Sequence, residues 1–523
     1  MSGDSSLLVE KLWRLKRRID KGACPGVEFV HLNTLLREPA YRADVLRRVE
    51  QSGSAELKAL AREITLNDDG QPLMVKENAN RLDVDRRQSV TNKGWLRRNA
   101  VFALPVLAIA AVAVGFTAFE NRAERIDSDI IIDTTWKTGK RYILEKTIYV
   151  ENAHLTIEPG AIIEGEGGSA LVVTSSAKLF ARGKADSPVI FTSAKPEGER
   201  ARGDWGGLVL LGNAPVNEPQ ASIEGLPEGE TRGAFGGSNT SHSCGVIEYT
   251  RIEFAGYEVY KDNELNGLTL GGCGSNTIVR NVQVHRALDD GIEMFGGTVD
   301  LKNIVITGAG DDSVDWDWGW RGRVQFAVIQ QYPDAGDNGF EGDNNGSNHE
   351  ATPRSEPVFY NVTMVGGGNT QKKHRAMVLR EGSGGHFHNL LINSYGIEAL
   401  DTRDDALSLI SREQLSFTHN ILANLGHLGR VAREQEDDDF GFDEQAWMAE
   451  PVNSNVARVE SALFPNAKTL VKPDFTPRVP LRQMKATRPP QSEFFDESAD
   501  FVGAISPVAS GSWLDGWTAF PES

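Results

Sequence analysis

Residues 281–299 read NVQVHRALDDGIEMFGGTV and residues 303–321 read NIVITGAGDDSVDWDWGWR. Set one above the other, Asn281 meets Asn303, Val282 meets Ile304, Ala287 meets Ala309, Asp289-Asp290 meets Asp311-Asp312, Ile292 meets Val314, and Glu293 meets Asp315. Every pair is 22 residues apart. A third copy with a longer turn follows at 328–344, VIQQYPDAGDNGFEGDN, where Asp337-Asn338-Gly339-Phe340-Glu341 repeats Asp289-Asp290-Gly291-Ile292-Glu293. A fainter copy starts at Asn389 and carries Gly396-Ile397-Glu398, and 247–256 and 359–367 fit as further turns of the same pattern. The runs between the turns are short, rich in Val, Ile and Thr, and lack a 3.6-residue period, which excludes helices. A period near 22 without helices suits a solenoid in which each winding supplies its neighbour's hydrogen bonds. The expected fold is all-β, a right-handed parallel β-helix over 128–430 with Ile, Val, Leu and Phe stacked inside.

The repeats continue upstream in TIEPGAII (156–163), in the run SALVVTSSAKLFARGKADSPVIFTS (169–193) and in GDWGGLVLLGNAPVN (203–217). FVGAISPVASGSWLDGWTAF (501–520) closes the chain. In this order the motifs resemble those of a family of bacterial envelope β-helix proteins, found as lipoproteins and secreted surface proteins. The resemblance implies the fold and an envelope address, and assigns no activity.

Ahead of the repeats, residues 100–119 (AVFALPVLAIAAVAVGFTAF) carry no charge. Twenty helical residues span about 30 Å, the thickness of a bilayer's hydrocarbon core. Lys93, Arg97 and Arg98 precede the stretch, and residues 1–99 hold 19 Lys and Arg against 14 Asp and Glu. The basic side stays in the cytoplasm, so 98–120 is expected to be a signal anchor. It would hold the chain in a bacterial inner membrane as a single-pass protein with its body in the periplasm. Residues 1–97 read as a helical region plus linker, with one helix expected over Ala43–Ile64. Their basic first helix is a candidate contact for a cytoplasmic partner, and signal relay through it is one functional reading.

The whole chain of 523 residues has a net charge of −18, which excludes general nucleic-acid binding. Cys244 and Cys273 follow the apolar stretch, so a disulfide between them is expected in an oxidising space, with Cys24 a free thiol. Residues 431–523 are rich in acidic and then proline-containing segments, and are expected to lie along the solenoid and end in a cap.

Equivalent residues on successive windings lie about 4.8 Å apart. The repeats therefore stack Asp289 and Asp290, Asp311 and Asp312, and Asp337 in one column, with Glu293, Asp315 and Glu341 in a second. Asp317, Asp343, Asp401, Asp404 and Asp405 fall nearby. Such crowding needs an offset. Ca²⁺ takes six to eight hard oxygens and would suit Asp289, Asp290, Glu293, Asp311, Asp312, Asp337 and Glu341. Arg286, Arg321, Arg323, Arg375, Arg380 and Arg403 could pair with the acids, or some acids could stay protonated. The same aspartates could also simply shape turns by accepting backbone N–H groups.

A catalytic reading makes Asp312 and Asp315 the acids and Arg380 the base of a polysaccharide lyase or glycoside hydrolase, which needs an open groove beside Asp311–Asp315. A binding reading uses the alternating Trp316, Trp318 and Trp320 with Arg321. Facing outward, the indoles would form a platform for sugar rings; facing inward, they would fill the core. His386 and His388 share a strand face without a third ligand at fixed spacing. The first functional expectation is a membrane-anchored binding or structural module that is Ca²⁺-stabilised and engages a glycan or an envelope protein.

Overall fold

The computed structural model describes residues 39–52, 54–67 and scattered positions between 11 and 35, then 123–523 apart from 227–228, 261–262, 369–373, 430–438 and short stretches within 459–485 and at 509–510. The chain divides into two compact units, an N-terminal helical one and a β-body. Among the described residues no helix is long and apolar enough to cross a membrane. The apolar stretch 100–119 lies outside the described residues.

In the first unit the single helix expected over Ala43–Ile64 is two, Pro39–Ser52 and Ala55–Asn67. The break falls at Gly53-Ser54, where the Ser54 hydroxyl accepts the Leu57 N–H at 3.3 Å as an N-cap. Val45, Val49, Leu57, Ala61 and Ile64 bury against Leu12, Leu15 and Ile19.

The body is a parallel β-helix. Among the described residues all strand pairs are parallel except one two-stranded hairpin, Glu258–Tyr260 with Asn263–Glu264. Strand Ile278–His285 pairs with Asp300–Thr307, Val282 opposite Ile304 and His285 opposite Thr307. On a second face Ile292–Phe295 pairs with Val314–Asp317, Ile292 opposite Val314 and Glu293 opposite Asp315. The pairing offset is therefore the 22-residue repeat. The longer turn before Asn338–Gly342 stretches the next offset to 26, Val314 opposite Phe340.

The repeated asparagine has a conformational reason. Asn281, Asn303, Asn361 and Asn389 have φ of 54°, 59°, 58° and 58°, and each turns its strand through a corner of the winding. Asn, like Asp and His, occupies this left-handed region more readily than other residues with a side chain. Tyr249, Phe326 and His419 hold the same corner in other windings at φ of 45°, 62° and 58°.

Inside the coils, Ile292, Met294, Val314, Phe340 and Met377 join one continuous apolar core. Trp316 and Trp320 are fully buried in it. Gly342 pairs with Trp316, and a Cβ there would lie 2.2 Å from Trp316 Cζ2, so the missing side chain makes room for the indole. The Trp316, Phe340, Phe359 and Phe387 rings then pack as a cluster, with Phe340 and Phe359 centroids 4.7 Å apart.

Two additions cover the outside of the coils. The insertion around 214–237 packs Ala221, Ile223, Leu226 and Phe235 on Tyr149, Val172, Val209, Leu211 and Phe295. The C-terminal segment packs Leu463, Phe464, Val502, Ile505 and Trp517 on Val305, Val328, Val365, Leu391 and Ile421 of the other face. It runs back along the flank of the coils, so that Ala519 bonds Gln283 and Pro521 bonds His285. Cys244 and Cys273 form a disulfide, with Cα atoms 5.7 Å apart.

Candidate metal centre

One outward column of the second face changes character along the solenoid. The register runs Tyr149, Val172, Val209, Thr269, Glu293, Asp315, Glu341, Val378 and Asp401. Its apolar start lies beneath the insertion, and its acidic middle lies beside the turns that carry the repeated Asp pairs. The register also corrects the fainter repeat. Glu398 stands three positions away from the Glu293 level, and Asp401 occupies it instead.

The turns stack through their own side chains. Asn266 Oδ1 accepts the Asp290 N–H at 3.3 Å, Asp290 Oδ1 accepts the Asp312 N–H at 2.9 Å, and Asp312 Oδ1 accepts the Asn338 N–H. This ladder is the turn-forming use of aspartate. At its first rung the acceptor is the Asn266 amide oxygen, so the bond needs only a carbonyl-type oxygen. The charges on Asp290 and Asp312 are surplus to it. Beside the ladder, Gly291 admits the next winding, since a Cβ there would lie 2.5 Å from the Ser313 carbonyl oxygen.

Carboxylate oxygens of Asp290, Glu293 and Asp315 lie within 4.8 Å of one another, as do those of Asp312, Asp315 and Glu341, and those of Asp289, Asp290 and Asp311. Asp315 belongs to two of these triads, and its buried Oδ1 has no hydrogen-bond partner. Asp290, Glu293 and Asp312 are only 7%, 6% and 4% exposed. Burial first, and then repulsion from the neighbouring acids, pushes Asp290, Glu293, Asp312 and Asp315 well above the ordinary carboxylate range. Glu341 is pushed up to about 7 and Asp317 to about 8, again by burial first.

The cations are unevenly placed. Arg380 forms a bidentate pair with Asp343 and also reaches Glu341. Burial works against its charge, but Asp343 and Glu341 outweigh it and hold the guanidinium above its ordinary value. That gives the upper triad a cationic partner at Glu341. The lower triad receives neutral donors, the Asn266 amide on Glu293 and the Asp312 N–H on Asp290. Arg323 pairs with Asp300, Arg375 with Glu398 and Asp401, and Arg403 with Asp401. Arg286 stacks over Tyr332 at 5.0 Å. Asp337 stacks through its backbone, its N–H bonded to the Asp311 carbonyl at 2.9 Å.

The tryptophan platform is corrected. Strand Val314–Asp317 ends before Trp318, whose φ of 51° breaks the alternation. Trp316 and Trp320 point into the core, and Trp318 lies against Phe295 and Phe235 at 4.9 and 6.0 Å. The three indoles share no surface. Arg321 instead lines an open basin of about 750 Å³ with Arg354, Arg412, Glu350, Glu356 and Gln414. His386 bonds Glu356 and Ser416, and His388 bonds Thr418, so each imidazole has a polar protein partner.

Asn266 and Asn338 went unrecognised from sequence as members of the site. Asn266-Gly267-Leu268 does repeat Asp290-Gly291-Ile292, but the insertion before it hides the period.

A family model described as a pectate-lyase-like β-helix domain matches residues 128–460. No curated protein and no solved structure matches the chain.

Proposed function

Because the chain belongs to the pectate-lyase-like β-helix family, we propose that it is a cation-stabilised binding and structural module held at a membrane. The observation that carries this reading is the burial of surplus acids. Asp290 and Asp312 sit at ladder positions where asparagine performs the same backbone task. Asp315 joins them to Glu293 and Glu341 with one oxygen left unpartnered. A hard divalent cation, Ca²⁺ first, fits this all-oxygen donor set. Asp290, Glu293 and Asp315 would hold it, because Arg380 already offsets the upper triad. The ion would supply positive charge that locks two adjacent windings together.

The same burial disfavours catalysis on the column. A sugar would have to reach carboxyls that are almost wholly covered. Arg380 as a base would have to lose a proton that Asp343 and Glu341 hold in place. The ligand surface is the basin around Arg321, Arg354 and Arg412, whose mixed arginines and glutamates suit a glycan or an envelope protein. The disulfide supports a body on the oxidising side of the membrane. The apolar stretch 100–119 supports a single-pass anchor in a bacterial inner membrane, with residues 1–97 in the cytoplasm.

Calorimetric titration of the metal-stripped full chain with Ca²⁺ tests the site. Saturable binding that Asp315→Asn abolishes is expected. No heat with Ca²⁺, Mg²⁺ or Mn²⁺ would overturn it. Release of unsaturated sugar from polygalacturonate, lost in Arg380→Lys, would restore the lyase reading.

A further inference from the structure

The N-terminal end of the solenoid is built differently from its flanks. Among the described residues, strand Glu124–Ile126 pairs only with Arg141–Leu144, and Thr134–Trp136 only with His154–Ile157. Each therefore turns a row of backbone N–H and C=O groups away from the body. Such edges attract other strands unless something covers them, and solenoids cap their ends. Between the two strands, Ile131 and Ile132 are 67% and 73% exposed. Ile130 holds this segment on the first winding, donating its N–H to the Tyr149 carbonyl at 2.8 Å and accepting from the Glu151 N–H at 3.0 Å. Two adjacent isoleucines are thus presented outward on a fixed backbone at the open end.

The chain constrains what can lie there. The uncharged stretch ends at Phe119 and the first strand begins at Glu124. The four residues between them reach at most about 14 Å when fully extended. With 100–119 spanning the bilayer, as the proposed function has it, the first winding has to stay within that distance of the membrane surface. From this tether and the exposed pair, we infer that the N-terminal end of the β-helix rests on the bilayer, with Ile131 and Ile132 entering the headgroup boundary. The inference rests on the membrane reading above.

The surrounding charge selects the lipid. Asp127, Asp129 and Asp133 flank the pair, and among the described residues only Asp129 has a cationic partner, Arg232 at 2.8 Å. Asp133 accepts the His154 N–H at 2.8 Å. Arg125 is engaged by Glu145 and Glu166. An acidic rim of this kind favours zwitterionic headgroups over anionic ones.

The test uses the full chain with Cys24→Ser, reconstituted into phosphatidylcholine vesicles, with an NBD fluorophore on Ile132→Cys. Val471→Cys on the C-terminal segment, where the native side chain is 54% exposed, serves as control. Lipids carrying a shallow nitroxide are expected to quench the probe at 132 several-fold more than the probe at 471. Equal quenching at the two positions, in a chain that floats with the vesicles through alkaline carbonate, overturns the bilayer contact and leaves the anchor standing. A chain that does not float overturns both. Protection at 132 that persists in detergent and rises with protein concentration makes a second copy the cap and also overturns the inference.

Discussion

The two outer faces of this solenoid are covered in opposite ways. On the face built from Ile278–His285, Asp300–Thr307, Arg323–Gln330 and Val358–Val365, the cover is the C-terminal segment, and the amides of Gln283, Gln325, Asn361 and Asn389 beneath it bond its backbone. Gln325 exchanges two bonds with the Asp496 backbone at 3.2 and 2.7 Å. Asn389 exchanges two with Thr487 at 2.7 and 2.9 Å, and Asn361 reaches the Phe501 carbonyl at 2.6 Å. Neutral amides hold an irregular segment by acting as a strand edge would. On the face that carries Ile292–Phe295 and Val314–Asp317, the outward groups from Glu293 to Glu341 are carboxyls, and among the described residues the protein supplies them with Arg380 and a few amides. The first face is held by neutral amides. The second lacks positive charge, and that deficit is the argument for an ion.

The difference can be broken first at the amide-held face. Trp517 is 1% exposed and packs in the cluster joining the C-terminal segment to Val305 and Val328. Trp517→Ala removes the largest side chain there and is expected to cost about 3–5 kcal/mol. It should release the segment to protease while leaving the Ca²⁺ response intact. A variant that melts like the native protein would show that the cover contributes little.

Next in size is removal of the ion from the other face. An ion present at about 100 times its dissociation constant stabilises by about 2.7 kcal/mol. Melting in EDTA is accordingly expected several degrees lower than in Ca²⁺. Asp315→Asn should melt alike in both, and in EDTA should exceed the native protein, because it removes a buried charge. An unchanged native melting temperature would remove the asymmetry between the faces.

How much of this is legible in the sequence follows from what a repeat encodes. Residues that recur at a fixed period (Asn281 and Asn303, Asp290 and Asp312, Ile292 and Val314) reveal the winding, because each has the same neighbours above and below. The acidic columns come with it. What the period cannot carry is the direction of a side chain once a strand ends. Trp316, Trp318 and Trp320 alternate in sequence, yet the left-handed residue at Trp318 separates them, and the space for Trp316 is made by Gly342, one winding away. Arg380 is likewise an arginine among six in sequence; its pairing with Asp343 exists only because register sets the two beside each other. The cover of each face arrives from distant chain, and the bonds between Gln325 and Asp496 span 171 residues.

The pH dependence separates the faces in a third way. The buried acids have folded pKa values above their unfolded ones, so the folded state holds protons that the unfolded state has lost. In EDTA the contribution of these groups is fullest below about pH 4, the unfolded range of carboxylates. It is lost as pH rises through about 7 for Glu341 and about 8 for Asp317. The Ca²⁺-dependent gain in melting temperature should therefore be larger at pH 8 than at pH 5, where protons compete with the ion. A gain independent of pH would place the ion away from these carboxyls.

The smallest effects are the most discriminating. Gln325→Ala forfeits two bonds to the Asp496 backbone and is expected to cost about 1 kcal/mol, equally with and without Ca²⁺. Asp290→Asn keeps the ladder oxygen, since the Asn266 amide already serves as acceptor at the preceding rung. In EDTA it should therefore be neutral or stabilising, while it weakens the Ca²⁺ gain. Asp290→Ala removes the acceptor of the Asp312 N–H and should cost about 1–2 kcal/mol in either condition. If Asp290→Asn destabilises in EDTA as much as Asp290→Ala does, the charge belongs to the fold itself. The carboxyl would then not be surplus, and the contrast between the two faces would lose its chemical basis.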